Sequence, residues 1–391
     1  MMATPPRAPR TAPAPRPWTA PGIDAAATPD DARLRAPLWL PGGQAQTIWP
    51  ALFSRRHGAV APVFRRERWH TPDGDFVDAD WLVDEVAGVA RHGASDAAPD
   101  AAPVTPSPPM APERPLLVLF HGLEGTSRSH YAQAFADWAR RHGWAMVVPH
   151  FRGCSGELNL APRAYHSGDF VEIGWMLQQA RQRHRGAIVA VGVSLGGNAL
   201  LRWGEESGHS ASATACAIAA VCAPIDLAAA GDAIGRGLNR WIYTPMFLRT
   251  MKPKALAKLA QHPGLFDAER LRAARTLYEF DNLFTGPLHG FKGTDDYWRR
   301  ASAKPALASL RLPTLVLNPL NDPFVPAASL PRSVPKGSAV TLWQPPQGGH
   351  VGFPTGAFPG HVLDLPAAVM DWLVPHLPPP PLQPPHRTAV S

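Results

Sequence analysis

The 391-residue sequence predicts an α/β fold: a mostly parallel sheet of about eight strands, flanked by helices and interrupted by one helical insertion. Two patterns predict it. Short unbroken apolar runs such as Leu116–Phe120 and Ile188–Val193 suit strands buried on both faces. These runs alternate with stretches of helical period, the arrangement of βαβ units. A third observation concerns proline. Of 46 prolines, 22 fall in residues 1–30, 99–115 and 375–391, leaving about 327 residues with an ordinary share. That remainder suits one large domain, expected over 37–374.

Each element follows in order. Residues 1–36 are rich in Pro and Ala and cannot bury enough surface to offset the entropy of ordering, so a disordered tail is expected. Alternating residues around the turn Asp73-Gly74-Asp75 predict a hairpin over 63–69 and 76–83. A Pro-rich linker spans 85–115. The strand Leu116–Phe120 ends in His121-Gly122, and a helix over about 128–141 carries Ala132, Phe135, Ala136 and Ala139 on one stripe. Strand Ala145–Val148, helix 168–183, strand Ile188–Val193, helix 195–206 and strand Ala217–Cys222 continue the alternation. A mostly helical, irregular block, 226–300, then breaks the rhythm. Strands Thr314–Leu317 and Ala339–Leu342 and a helix over about 366–374, with Pro366 in its first turn, complete the domain. Residues 375–391 form a second Pro-rich tail. The sheet is expected to be antiparallel at its start and parallel thereafter.

Composition excludes several classes. No run of 18 apolar residues exists, so no transmembrane helix is expected, and the first residues lack the apolar stretch of a secretory signal. Eight prolines in residues 1–30 would break the amphipathic helix of a transit peptide. The net charge is +7, but the densest basic patches, Arg55-Arg56 and Arg65-Arg66-Glu67-Arg68, read as a solvated edge strand and its approach, so no nucleic-acid partner is expected. The charge does leave a weak attraction to anionic membrane surfaces open. Three cysteines without a CxxC pair fit a reducing, cytoplasmic setting. No cluster has metal-ligand spacing and no phosphate loop appears, so neither metal nor cofactor is expected. Nothing in the sequence fixes the oligomeric state.

The chemistry concentrates at Gly192-Val193-Ser194-Leu195-Gly196. This G-x-S-x-G follows an apolar strand and opens a helix, the sharp turn on which a serine hydroxyl stands exposed above a sheet. A serine needs a base. His350, in Gly348-Gly349-His350-Val351-Gly352 after the last strand, is the best candidate. Asp322, after strand Thr314–Leu317, would orient the imidazole. Each of the three follows a strand, in the order Ser…Asp…His. An oxyanion hole would need the N–H of Leu195 and one from the loop His121–Gly125, for which Leu123 is chosen. His121 reads as holding that loop rather than as a second base.

Beyond these residues the chain resembles the YheT-like branch of the α/β-hydrolases over about 37–374. The likeness rests on Gly42–Thr47, His121–Gly125, His150–Glu157, Tyr165–Gly168, Gly192–Asn198, Glu279–Asp281, His289–Phe291 and Gly348–Phe353. It implies an α/β-hydrolase fold and a hydrolase acting on small-molecule carboxylic esters, lipid-like or of short to medium acyl chain. The chain departs from the pattern in a longer 85–114 linker and in Asn318-Pro319-Leu320-Asn321 before Asp322. Arg152 would bind a substrate carboxylate or phosphate, or, with Glu157, tie its own loop together. Cys154 reads as structural. The block 226–300 sits where this fold carries a cap. Its aromatics would pack it onto the sheet and line an apolar acyl pocket, and Lys252, Lys254 and Lys258 form a short basic amphipathic stretch. Two other functions remain open on sequence: an acyltransferase moving the acyl group to an alcohol, and a non-catalytic binding module on the same scaffold.

Overall fold

The structure, a computed structural model, describes residues 30–83 and 114–379. The expected tails over 1–29 and 380–391 and most of the expected 85–115 linker lie outside the described residues. The first helix, α1 (Gly43–Leu52), precedes the hairpin of β1 (Phe64–His70) and β2 (Phe76–Leu82). Then come β3 (Leu116–Phe120), α2 (His130–Arg141), β4 (Ala145–Pro149), α3 (Phe170–Arg183), β5 (Ile188–Val193), α4 (Leu195–Ser207) and β6 (Ala217–Val221). Six helices follow: α5 (Leu227–Ile234), α6 (Gly237–Gln261), α7 (Ala268–Ala273), α8 (Leu277–Leu283), α9 (Thr285–Leu288) and α10 (Thr294–Ala301). The chain closes with β7 (Thr314–Leu317), β8 (Val340–Trp343) and α11 (Asp364–Leu373). Among the described residues no helix is long and apolar enough to cross a membrane.

The eight strands form one sheet in the order β1-β2-β4-β3-β5-β6-β7-β8. β1 and β4 flank β2 antiparallel, and every other pairing is parallel. The unbroken apolar runs are explained by two cores. In β3, Leu116, Val118 and Phe120 face the layer of α3 and α4, while Leu117 and Leu119 face α2 and α11. Both faces of the central strands are therefore dry, as parallel strands require.

Two expectations change at the edges. Residues 30–36, read as tail, include a 3₁₀ turn, Asp31–Leu34, against α11. Leu34 is 1% exposed, and Trp343 Nε1 donates to Asp31 Oδ1 at 2.7 Å. Beyond 374, the turn Val374–His376 leads to a buried Leu377. Large apolar side chains reach back to the core at both ends, so the ordered body exceeds 37–374. The block 226–300 is also more regular than expected. It is six helices with their own small core of Leu248, Ala255, Leu271, Phe280 and Phe284. Its two ends meet: Lys304 N–H donates to Ile225 O at 2.9 Å, and Leu227 N–H to Ser302 Oγ at 2.9 Å. Asn198 on α4 pins this junction, donating to Ala301 O at 2.8 Å and accepting from Ala303 N–H at 3.1 Å.

Candidate active site

The turn from β5 into α4 carries Ser194 at φ +53°, a left-handed conformation that costs a non-glycine residue about 1–3 kcal/mol. The glycines around it are obligatory. A Cβ on Gly192 would lie 2.4 Å from Gly196 O, and one on Gly196 would lie 2.5 Å from His121 O. With both side chains absent, the elbow closes tightly and lifts the hydroxyl above the sheet.

His350 Nε2 lies 2.9 Å from Ser194 Oγ, and His350 Nδ1 lies 2.8 Å from Asp322 Oδ2. The other Asp322 oxygen accepts the N–H groups of Phe324 and Val325 at 2.7 and 3.2 Å. With Asp322 accepting, Nδ1 carries the proton and Nε2 is free to accept the serine's. Phe324 lies tilted against the imidazole with ring centroids 4.3 Å apart. The three residues placed after successive strands by the sequence thus meet at one edge of the sheet.

Leu195 follows Ser194 as the first residue of α4, and Leu123 lies in the loop after β3. The Leu195 N–H opens α4, where a helix has no internal acceptor to offer. Gly122 packs on Ser194: a Cβ there would sit 3.2 Å from Ser194 Cβ. Among the described residues neither the Leu123 nor the Leu195 N–H finds an acceptor. The Leu123 loop is held from several sides. Glu124 N–H donates to Tyr165 Oη at 3.0 Å, Tyr165 Oη donates to Glu124 Oε1 at 2.8 Å, and Lys254 of α6 pairs with Glu124 at 2.8 Å. His121 accepts Phe151 N–H on Nε2 at 3.1 Å and bonds Gly122 O through Nδ1 at 2.8 Å. Burial pushes it down to about 3, so it stays neutral and holds the loop.

A group not recognised from sequence organises the histidine loop. Gln46, fully buried on α1, accepts Gly348 N–H at 3.1 Å and Asn321 Nδ2 at 2.8 Å, and donates to Leu40 O at 2.9 Å. Thr47 Oγ1 accepts His350 N–H at 2.8 Å, and Asn321 Oδ1 accepts Gly349 N–H at 3.0 Å. Gly349 and Gly352 pack on the Gln46 backbone, where a Gly352 Cβ would lie 1.7 Å from Gln46 O. The signal was present as Gly42–Thr47 and as the asparagine before Asp322, but only the fold brings them together.

Arg152 pairs with Asp73 at 2.9 Å, Asp75 at 2.7 Å and Glu172 at 2.7 Å, and Glu157 pairs with Arg68. Both tie loops, though not to each other. Burial, with Asp169 nearby, pushes Glu172 up to about 7. Cys154 is buried and its thiol pushed up to about 12. Cys222, Asp322 and His350 bring three donor atoms within 4.8 Å. Asp322 and His350 are bonded to each other, and Cys222 Sγ accepts Val351 N–H at 3.2 Å.

Ser194 opens into a cavity between sheet and cap in which the centre of a water molecule can range over about 150 Å³. Leu227, Phe247, Phe280, Phe284 and Trp298 supply apolar wall. Asp281 of α8 also lines it, accepting from Thr285 Oγ1 at 2.7 Å and Trp298 Nε1 at 2.9 Å. Burial pushes this carboxyl up to about 6. Of the basic stretch, Lys258 is turned inward onto the carbonyls of Asn159 and Ala161, and Lys254 onto Glu124.

Residues 115–357 match the family described as alpha/beta hydrolase fold. The chain is 35% identical over 335 residues to the "Putative esterase YheT" of Escherichia coli (strain K12), an alignment covering 85% of this chain and 90% of that one. It is 28% identical over 329 residues to "Phospholipase ABHD3" of Homo sapiens, covering 82% and 74% of the two chains. It is 30% identical over 250 residues to "Monoacylglycerol lipase" of Saccharomyces cerevisiae, covering 61% and 55%.

Proposed function

The chain belongs to the alpha/beta hydrolase fold family, and we propose that it is a carboxylic ester hydrolase working through Ser194, His350 and Asp322. The observation that carries this reading is the continuous line of hydrogen bonds from Ser194 Oγ through His350 to Asp322, opening on an apolar cavity. Ser194 Oγ attacks the ester carbonyl while its proton passes to His350 Nε2. The carbonyl oxygen becomes an oxyanion, met by the N–H groups of Leu123 and Leu195. The C–O bond to the alcohol breaks, and the alcohol leaves with the proton from His350. Water then attacks the acyl-serine, gives its proton to His350, and releases the acid while Ser194 recovers its hydrogen. Asp322 fixes the tautomer and stabilises the imidazolium throughout. The apolar wall suits a lipid-like or short to medium acyl chain. Three free cysteines accord with a reducing, cytoplasmic setting.

A fluorophosphonate probe tests the reading. Wild-type protein is expected to be labelled at Ser194 and to hydrolyse acyl esters, and Ser194→Ala to lose both. Folded wild-type protein that neither reacts with the probe nor turns over a panel of esters of varied chain length would overturn it.

A further inference from the structure

The outer face of α6 is apolar and uncovered. Leu238, Trp241, Ile242 and Met246 recur at i, i+3, i+4 and i+8 and so share one stripe. They are 57, 77, 36 and 51% exposed. The opposite side of the helix packs inward: Phe247, Met251 and Ala255 line the cavity, and Tyr243 meets Phe324 edge to face. Apolar side chains thus point to two sides of this half of α6, and the fold covers only one of them. Single exposed apolar residues are common on protein surfaces, but a contiguous stripe marks an interaction site.

Charge identifies the occupant. In 25 residues α6 carries Arg240, Arg249, Lys252, Lys254 and Lys258 and no acidic residue. Lys254 is spent on Glu124, Lys258 on buried carbonyls and Lys252 on Arg272 O. Arg249, three residues beyond Met246, continues the stripe, Arg240 directly precedes Trp241, and both are exposed with no carboxylate partner among the described residues. Arg236, just ahead of the helix, adds a cation whose exposed partner is Asp232. A second copy of this chain, docked by a two-fold axis, would set these cations against themselves. A surface of lipid phosphates matches them, and an indole at 77% exposure suits the boundary between head groups and acyl chains.

We infer that the outer face of α6 adsorbs to anionic lipid bilayers. Apolar side chains enter the interface and exposed guanidiniums of the same helix, Arg249 foremost, meet lipid phosphates. The helix that touches the bilayer is also a wall of the cavity beside Ser194, so the adsorbed protein meets esters carried in that bilayer. This choice of substrate rests on the ester-hydrolase reading; the adsorption does not.

Full-length protein is to be sedimented with vesicles of phosphatidylcholine alone and of phosphatidylcholine mixed with phosphatidylglycerol. Wild-type is expected to partition mainly to the mixed vesicles, less so at high salt. The double variant Trp241→Glu/Met246→Glu is expected to bind about tenfold or more weakly. Arg240→Glu/Arg249→Glu is expected to lose the preference for anionic vesicles. Both variants should turn over a water-soluble short-chain ester within about twofold of wild-type, since none of these side chains lies in the catalytic machinery, but hydrolyse an ester held in mixed vesicles more slowly. Wild-type that stays in the supernatant with anionic vesicles, or variants that bind as wild-type does, would overturn the inference. So would a wild-type dimer made monomeric by Trp241→Glu, because a second copy would then cover the stripe. Failure of wild-type on the soluble ester would sink the hydrolase reading alone.

Discussion

At Ser194 the strain of a left-handed serine is the local cost of lifting its hydroxyl above the sheet, and Gly192 and Gly196 make that geometry attainable. Replacing Asp322 by Asn keeps the shape of the site but presents the wrong tautomer to Ser194, so kcat is expected to fall by about 10³–10⁴ with KM little changed. Steady-state kinetics on one ester checks this, with Asp364→Asn as a control carboxylate on α11. Asp281 makes a second expectation. Its carboxyl is pushed up from the ordinary 3.8 to about 6, so the folded protein holds a proton there that the unfolded chain gives up. Its contribution is present below about 4 and is lost as pH rises through about 6. Asp281→Asn should thus gain stability relative to wild-type as pH goes from about 4 to 7, read as the difference between their urea midpoints. A pH-independent difference would show that Asp281 matters only through its bonds to Thr285 and Trp298. That Ser194, Asp322 and His350 each follow a strand was legible, because turn glycines, Asp-Pro and Gly-Gly punctuate the sequence there. That Asn321 reaches across to Gly349 was not, because nothing local distinguishes it from any turn asparagine.

Among the elements, the central strands β3 to β6 were legible since burial on both faces leaves no polar side chain in them. α1 was not. It begins at Gly43, holds Pro50 and lacks a capping side chain, so propensity argues against it. It forms because its contacts are tertiary. Gln46 and Thr47 satisfy the amides of the histidine loop, and Gln44 bonds Tyr243 and Asn239 of α6. Gln46→Ala would leave Gly348 N–H and the Asn321 amide buried without an acceptor, a cost of about 1–3 kcal/mol. Thermal unfolding should register that loss. Because the loop that loses support carries His350, kcat should drop more than KM rises. The cap helices were legible as helical but not as regular, since Pro245 and Pro253 inside α6 read as breaks.

For the molecule as a whole, proline marks the limits of the fold only approximately. The body starts before residue 37, because Asp31–Leu34 closes over α11 and the last strand. Leu34→Ala is therefore expected to cost about 2–5 kcal/mol, visible in the urea midpoint, although the residue sits in a segment whose composition reads as a tail. A distribution of residue types reports the average along a stretch, and one leucine within it escapes that average. The cap shows a related property of the architecture. The two ends of its six helices meet at one seam, where residues 225–227 meet residues 302–304 and Asn198 clasps the join, and α6 adds ties of its own to α1, to Glu124 and to Pro323. A cassette exchanged at this seam would therefore have to bring back the α6 contacts to Glu124, Gln44 and Pro323, because the loops of Leu123 and Asp322 lean on them. The helices beyond α6 are freer to change in length, and with them the shape of the pocket.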